Sequence, residues 1–237
     1  MYDQDQIEPG HADVLFNAAA AGRFKSDQKE QLKAKKLFIN AKDEPARMFK
    51  SDFMEFFSRV HFTTPLIIYV PLISFFTYLT ITNPEMSFLG KIGYYALGLF
   101  LWTIAEYFIH RYLFHYHPKT ELMERIHFLT HGVHHDYPQD STRLVMPPAV
   151  SIPLAFFFYF FFRGVAGAAL VNPLFAGFVL GYLIYDMTHF AVHHANWKSS
   201  VFRRIKKHHM DHHYRNPDAG FGFTSKLWDK IFGTDFK

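Results

Sequence analysis

The chain has 237 residues, no cysteine, 16 histidines and a formal net charge of +4. The absence of cysteine excludes disulfides and thiolate ligands, so any bound metal must be held by nitrogen and oxygen atoms. The positive charges do not form one dense basic block with interleaved aromatic residues, which argues against nucleic-acid binding and favours attraction to anionic membrane lipids.

The first part of the chain is mostly polar and charged. It has no early apolar core with a cleavage site, as a secretory signal would have, so we expect residues 1–50 to form a polar N-terminal cytoplasmic segment. The stretch "SDFMEFFSRVHF" that begins at Ser51 mixes phenylalanine with charge, a pattern typical of a helix lying in the membrane interface. We expect residues 51–237 to form one membrane-embedded domain.

Four apolar stretches are long enough to approach the thickness of the hydrocarbon core, which is about 30 Å. They cover residues 64–82, 92–109, 146–162 and 166–185, and Glu106 is the one charged residue within them. A single such stretch would also fit a buried helix of a soluble protein. Four together predict an all-α integral membrane protein with four transmembrane helices in two hairpins.

The distribution of positive charge predicts the orientation of these helices. Of the 25 lysine and arginine residues, only Lys91 and Arg163 lie on the short outer connections. The positive-inside rule therefore places both termini and the central segment in the cytoplasm. The second and fourth stretches then end on the same cytoplasmic face, where histidine clusters follow both of them.

Fourteen of the 16 histidines lie between His110 and His213. They include the groups "HRYLFH", "HGVHH", "HFAVH" and "HMDHH", and helical positions i, i+3 and i+4 share one face. Ten imidazoles exceed the four to six ligands of one ion, so the spacing predicts two metal ions. The predicted ligands are His110, His115, His131, His134, His135, His189, His193, His209, His212 and His213.

The step from His110 to His115 turns an α-helix by about 140°. We therefore expect these two histidines to bind different ions or to flank the site from two directions. The histidines outside a repeated spacing are expected to be surface residues or hydrogen-bond partners of ligands: His11, His61, His117, His127, His194 and His208. Glu106, Asp186 and Asp211 are close enough in sequence to orient ligating imidazoles through the second ring nitrogen.

Four stretches, "EYFIHRYLFH", "HGVHHDYPQDSTRLVMPP", "YDMTHFAVHH" and "HHMDHHY", resemble the fatty acid 2-hydroxylase branch of the sterol desaturase and fatty acid hydroxylase superfamily. The histidine spacings identify the superfamily, and "DSTRLVMPP" and "YDMTH" are more specific to the branch. The resemblance covers roughly residues 50–237. It implies four membrane helices under a cytoplasmic helical cap that holds a histidine-bound di-iron centre. The implied reaction is O₂-dependent hydroxylation at C2 of a long acyl chain.

The resemblance also implies the cofactors and partners. We expect two iron ions, which zinc can replace in a purified protein, O₂ as co-substrate, and no catalytic residue beyond the metal ligands. The expected substrate is a long-chain fatty acid or a ceramide-type lipid. Many eukaryotic members carry an N-terminal cytochrome b-type domain with an H-P-G-G loop, which this sequence does not contain. We therefore expect a separate electron donor, either a cytochrome b-type protein or a ferredoxin with its reductase, and a bacterial inner membrane rather than the endoplasmic reticulum.

Two alternatives stay open from the sequence. The same scaffold also supports sterol-methyl oxidation, carotenoid hydroxylation and lipid desaturation. A non-enzymatic membrane metal-binding or transport protein belongs to another class, but a transporter places its polar ligands near the membrane midplane, whereas these histidines follow the ends of the apolar stretches. Oxidation of an apolar C–H bond requires a metal that changes valence, which zinc does not.

Overall fold

The computed structural model describes residues 38–40 and 42–236. The predicted polar segment 1–50 therefore lies mostly outside the described residues, and His11 lies outside them entirely. Every regular element within the described ranges is helical, and none of these residues is in a β-strand. The predicted all-α fold is confirmed.

The described residues form nine α-helices and two π-helices. The α-helices are α1 (Asp52–Ser58), α2 (Thr64–Thr82), α3 (Phe88–Phe108), α4 (Glu121–His127), α5 (Val133–Asp136), α6 (Pro148–Ala166), α7 (Val171–His194), α8 (Ser200–Tyr214) and α9 (Leu227–Phe232). The first π-helix (Ile109–Phe114) continues α3 without a break, and the second (Phe128–Gly132) joins α4 to α5.

Four of these elements are long and apolar enough to cross a membrane, as judged over the described chain by length and composition. They are α2, α3 together with the first π-helix, α6 and α7. The four predicted membrane helices are thus confirmed. The second of them runs on to Phe114 and the fourth to His194, so each carries histidines beyond its most apolar part.

Helix α7 is the centre of the bundle. In its most apolar window 72% of the residues are buried inside the protein, against 11% to 22% for the other three long helices. Its neighbours among the long helices are α2, α3 and α6. The three outer helices therefore leave most of their apolar side chains for lipid, whereas α7 meets protein on nearly all sides.

Two glycines let helices α3 and α7 approach each other closely. A Cβ atom on Gly98 would overlap the carbonyl oxygen of Leu174, and one on Gly177 would overlap the carbonyl oxygen of Tyr95. The absence of side chains lets the two backbones touch, as is common between membrane helices. The two helices run in the same direction, so their histidine-bearing C-terminal ends lie side by side.

The shorter helices pack over these C-terminal ends. Helix α9 is attached to α3 by a hydrogen bond from Trp228 Nε1 to Thr103 Oγ1 at 3.0 Å. The hydroxyl groups of Tyr107 and Thr234 also lie 3.0 Å apart. These contacts fix the C-terminal part of the chain beside the motif "HRYLFH", which begins at His110.

A buried polar network attaches α1 to the segment that precedes α6. Arg143 Nη2 donates to Glu55 Oε1 at 2.6 Å, and only 2% and 6% of these two side chains are exposed. Glu55 Oε2 also accepts the backbone N–H of Met48 at 2.9 Å. Asp140, which is fully buried, accepts the N–H of Ala46 at 2.8 Å. The network thus holds α1 and the residues before it against the protein.

Candidate metal centre

All ten predicted ligands lie together at the C-terminal ends of α3 and α7, in two groups. Within each group the possible ligand atoms lie within 4.8 Å of one another. The first group contains His110, His115, His131, His135 and His212, and the second contains His134, His189, His193, His209 and His213. His61, His117, His127, His194 and His208 belong to neither group.

In the first group the Nε2 atoms face one another. The Nε2 atoms of His110 and His131 are 3.2 Å apart, and those of His212 and His115 are 3.0 Å apart. The Nε2 atom of His135 lies 3.2 Å from that of His115 and 3.1 Å from that of His131. Five ring nitrogens therefore converge on one small volume.

The second group repeats this arrangement. The Nε2 atoms of His189 and His134 are 3.0 Å apart. The Nε2 atom of His209 lies 2.9 Å from that of His193 and 3.0 Å from that of His213. All five of these side chains are buried.

The two groups are direct neighbours. The rings of His135, in the first group, and His213, in the second, stack with their centroids 4.3 Å apart. The rings of His131 and His134 are 5.4 Å apart between centroids. The arrangement therefore offers two adjacent sites rather than two independent ones.

The first π-helix explains why His110 and His115 enter the same group. The N–H of His115 donates to the carbonyl of His110 at 3.1 Å, which is the i→i+5 hydrogen bond of a π-helix. Residues five apart are one turn apart in such a helix and share a face. The α-helical geometry assumed for this segment is therefore wrong, and so is the expected separation of about 140°.

Each H-x-x-H-H motif divides its histidines between the two groups. In "HGVHH", His131 and His135 join the first group and the histidine between them, His134, joins the second. In "HMDHH" the division is reversed, since His209 and His213 join the second group and His212 joins the first. Each group thus consists of two pairs one helical turn apart, plus one middle histidine from the motif that serves the other group.

Burial keeps these imidazoles neutral. Burial, followed by the proximity of other histidines, lowers the pKa of each group member outside the long helices below its ordinary value: His115, His131, His134, His209, His212 and His213. For His135 burial lowers the pKa to about 3. The neutral imidazole is the form that binds a metal ion, so the site is prepared for ligation at neutral pH.

Backbone carbonyls fix the tautomer of two rings in the first group. The Nδ1 atom of His110 donates to the carbonyl of Phe221 at 2.8 Å, and that of His212 donates to the carbonyl of Ala219 at 2.8 Å. A neutral ring with its proton on Nδ1 has a lone pair on Nε2. These lone pairs point at other ring nitrogens, an arrangement that a cation stabilises. The residues therefore fit metal ions bound by nitrogen.

One ring of the second group is held in the same way. His189 Nδ1 donates to the carbonyl of Leu144 at 2.9 Å. Asp186 holds the same segment because Oδ1 accepts the N–H of Met146 at 3.2 Å, while Oδ2 accepts the hydroxyl of Tyr182, within α7, at 3.1 Å. Asp186 therefore supports the ring indirectly.

The predicted direct contacts between carboxylates and ligand imidazoles are not found among the described hydrogen bonds. Asp211 pairs with Lys207 at 2.6 Å, and Glu106 binds Thr224 and its neighbour in the loop between α8 and α9. Sequence reasoning missed Asp229, which is fully buried and binds the same loop. It lies outside every histidine motif, and a single sequence carries no local signal for it.

A cavity of about 450 Å³ lies against both groups. His131 of the first group and His134 and His189 of the second are part of its wall. Most of the remaining wall is apolar, and α1 contributes Phe53 and Phe57 among other residues. The volume is within the range of about 300–1,000 Å³ found for ligand pockets.

Comparisons with known proteins agree with this architecture. Residues 95–234 match the model of the fatty acid hydroxylase family. Fatty acid 2-hydroxylase of Rattus norvegicus is 38% identical over 210 residues, which cover 80% of this chain and 56% of the rat protein. Dihydroceramide fatty acyl 2-hydroxylase FAH2 of Arabidopsis thaliana is 38% identical over 192 residues, which cover 81% of this chain and 80% of that protein.

A solved structure of full-length scs7p, in which only the hydroxylase domain is visible, superposes with a TM-score of 0.74. The two chains are 34% identical, and the superposition covers 78% of this chain and 70% of the other. The fold and the predicted resemblance are thus confirmed by sequence and by structure.

The same comparisons correct one expectation. The relatives from rat, Arabidopsis and two yeasts are eukaryotic, so the predicted bacterial inner membrane is wrong. That prediction rested on the missing H-P-G-G loop. Two Arabidopsis relatives are matched over 80% and 81% of their own length, so a sequence of this extent is not a bacterial feature.

Proposed function

The chain belongs to the fatty acid hydroxylase family, and from this we propose that it hydroxylates C2 of a long acyl chain with O₂. The ten histidines hold two metal ions for this reaction. The observation that carries the proposal is the pairing of two five-histidine groups against one largely apolar cavity. An acyl chain in that cavity lies beside both groups at once.

We propose that the two ions are iron in the active protein. Iron bound at these nitrogens supplies the activation of O₂ and the oxidising power needed to break an apolar C–H bond. In the balanced reaction, C–H, O₂, two electrons and two protons give C–OH and water.

The residues of the chain contribute binding, orientation and exclusion of water. The apolar wall binds the acyl chain by removing its methylene groups from water. His131, His134 and His189, which belong to that wall, define the place where C2 must lie. The neutral state of the ligand imidazoles keeps their nitrogens available for the ions.

The substrate class follows from the relatives. Their names specify fatty acid 2-hydroxylation in rat, dihydroceramide fatty acyl 2-hydroxylation in Arabidopsis and hydroxylation of ceramide very long chain fatty acids in yeasts. We propose a long-chain fatty acid or the acyl chain of a ceramide-type lipid. These names favour C2 hydroxylation over sterol-methyl oxidation, carotenoid hydroxylation and desaturation.

The domain assignment and the electron donor are part of the same proposal. Residues 51–237 form the hydroxylase domain, and residues 1–50 form a polar segment before it. Each turnover needs two electrons. We propose that a separate protein, of the cytochrome b type or a ferredoxin with its reductase, delivers them.

The decisive experiment is lipid analysis after expression in a host that lacks 2-hydroxylated lipids, with an active electron donor present. Mass spectrometry should detect acyl chains with one additional oxygen atom at C2, and isotopically heavy O₂ should label that atom. Products oxidised elsewhere would support another reaction on this scaffold. Repeated absence of any oxidised lipid, from protein that contains iron, would contradict the proposal.

A further inference from the structure

The loop between α8 and α9 holds two of the five rings in the first histidine group. As described above, the carbonyl of Ala219 accepts from His212 and the carbonyl of Phe221 accepts from His110, each at 2.8 Å. Both hydrogen bonds fix the proton on Nδ1 and leave Nε2 for a metal ion. The position of this loop therefore determines the orientation of both rings.

The carboxylate of Asp229, in α9, accepts hydrogen bonds from the loop. Its Oδ1 atom accepts the N–H of Phe221 at 2.9 Å and the hydroxyl of Thr234 at 2.7 Å. Its Oδ2 atom accepts the N–H of Gly222 at 2.8 Å and also lies 3.4 Å from Nε2 of His208. Asp229 is fully buried, so these hydrogen bonds do not compete with bulk water.

The carboxylate of Glu106, in α3, accepts hydrogen bonds from the same loop. Its Oε1 atom accepts the N–H groups of Phe223 and Thr224, both at 2.7 Å, and its Oε2 atom accepts the hydroxyl of Thr224 at 2.7 Å. Glu106 is 3% exposed and lies four residues before His110. Asp229 and Glu106 together accept the N–H groups of four successive residues, 221–224.

We propose that Glu106 and Asp229 are positioning residues for the first histidine group, acting through the loop carbonyls that orient His110 and His212. The inference rests on the proposed function only in that the first group binds a metal ion. It also predicts a larger effect on the first group than on the second. The carbonyl that holds His189 in the second group comes from Leu144, in a different segment of the chain, and among the described contacts the loop reaches the second group only through ring contacts of Phe223 with His189 and His209.

The hydrogen-bond pattern predicts that replacing the carboxylate by an amide disturbs the loop at Asp229 but not at Glu106. Both oxygens of Asp229 accept a backbone N–H, so Asp229→Asn must turn its NH₂ group toward one of those donors and lose a hydrogen bond. In Glu106, a single oxygen accepts both N–H groups. The second oxygen accepts the hydroxyl of Thr224, which can itself accept from an amide. Glu106→Gln therefore preserves the contacts that Glu106→Ala removes.

The test measures zinc binding at one group at a time in the full chain, by competition with a chromophoric chelator. A background with His193→Ala and His209→Ala disables the second group, and one with His115→Ala and His131→Ala disables the first. When only the first group is intact, Asp229→Asn and Glu106→Ala should weaken zinc binding about 10- to 100-fold. Glu106→Gln should bind like its parent. When only the second group is intact, Asp229→Asn and Glu106→Ala should weaken zinc binding much less than they do at the first group.

Equal weakening in both backgrounds would overturn the inference, since it would mean that the carboxylates only stabilise the fold. Unchanged affinity at the first group would overturn it as well. Circular dichroism establishes that each variant keeps its helices. If Asp229→Asn does not fold, Thr234→Val takes its place, because it removes a hydroxyl that donates to Asp229 Oδ1 at 2.7 Å, and it should weaken the first group more than the second.

Failure of the proposed function gives different results. A parent chain that binds neither zinc nor iron contradicts the metal centre itself. A parent chain that binds two ions but yields no hydroxylated lipid contradicts the reaction, and the site-selective effect of Asp229→Asn on zinc binding is still decided by the titration.

Discussion

Arg143 and Glu55 form a buried ion pair across 88 residues of sequence, with 2.6 Å between Nη2 and Oε1. Glu55 belongs to α1, whose neighbouring residues Phe53 and Phe57 are part of the cavity wall and are largely exposed on their other side. The ion pair therefore fixes the position of a thin wall between the cavity and the surroundings of the protein.

Breaking this pair should be strongly destabilising. Glu55→Gln leaves the buried Arg143 guanidinium with only the more distant carboxylate of Asp140, 3.9 Å away, and breaking a buried ion pair typically costs about 3–5 kcal/mol. Thermal unfolding in detergent measures the loss. The matched control is Asp52→Asn, which removes the exposed ion pair with Arg47 and should cost less than about 1 kcal/mol. Similar losses for both variants would contradict a special role of burial.

The same pair predicts how stability depends on pH. Burial by itself raises the pKa of Glu55, but the N–H groups of Phe49 and Met48 and the charge of Arg143 outweigh it, so the pKa lies below the ordinary 4.5. The stabilisation is complete above pH 4.5 and is lost as the pH falls through the lowered pKa. The unfolding temperature should therefore fall on acidification in this range, with a shallower slope in Glu55→Gln. Parallel slopes would contradict the assignment.

Helix packing predicts opposite effects for different glycines. Gly98→Ala or Gly177→Ala forces α3 and α7 apart and should cost about 1–3 kcal/mol of unfolding free energy. Gly93→Ala, in the same helix α3, meets nothing within 4 Å and should be neutral or stabilising by up to about 1 kcal/mol. Unfolding temperatures of the three variants are the measurement. A destabilised Gly93→Ala would show that helix packing is not the cause.

His134→Ala should abolish 2-hydroxylated product. His134 is buried, and its Nε2 atom lies 3.0 Å from that of His189, so its removal takes one nitrogen from the second group. Lipid analysis should show loss of the 2-hydroxylated product, and elemental analysis should show less bound iron or zinc. His117→Ala provides the control, because His117 is exposed and belongs to neither group. Full activity of His134→Ala would remove this residue from the ligand set.

Filling the cavity should alter the use of acyl chains without loss of metal. Val145 is 3% exposed and lines the cavity, so Val145→Trp occupies part of the volume available to the lipid. We expect about tenfold less product from long acyl chains, with shorter chains less affected. Val165→Trp is the control, since Val165 is 74% exposed and lies outside the cavity wall. Equal losses in both variants would indicate a general effect of added tryptophan.

The helical pairs in the site could be predicted from spacing because they depend on local geometry. His189 and His193, four apart on α7, join one group as α-helical periodicity requires. His110 and His115 were not placed correctly, because nothing in "HRYLFH" distinguishes a π-helix from an α-helix. The sequence also could not show that each H-x-x-H-H motif contributes histidines to both groups, since this depends on where the other helices lie.

Contacts that are distant in sequence were beyond prediction for a different reason. Phe221 is 111 residues from His110, and its role depends on a backbone carbonyl, which every residue has. The side chain of residue 221 therefore carries no information about the hydrogen bond. Glu106 was noticed because it interrupts an apolar stretch, but its partners in the loop become visible only in the fold.

Each histidine group takes at least one nitrogen from α8: His212 for the first, and His209 and His213 for the second. These three residues are synthesised last among the ten. A nascent chain that has already inserted all four long helices still lacks a complete set of ligands for either ion. In the proposed metal centre neither group is complete before α8 has been synthesised, so a product that terminates before His209 would enter the membrane with incomplete sets of ligands in both groups.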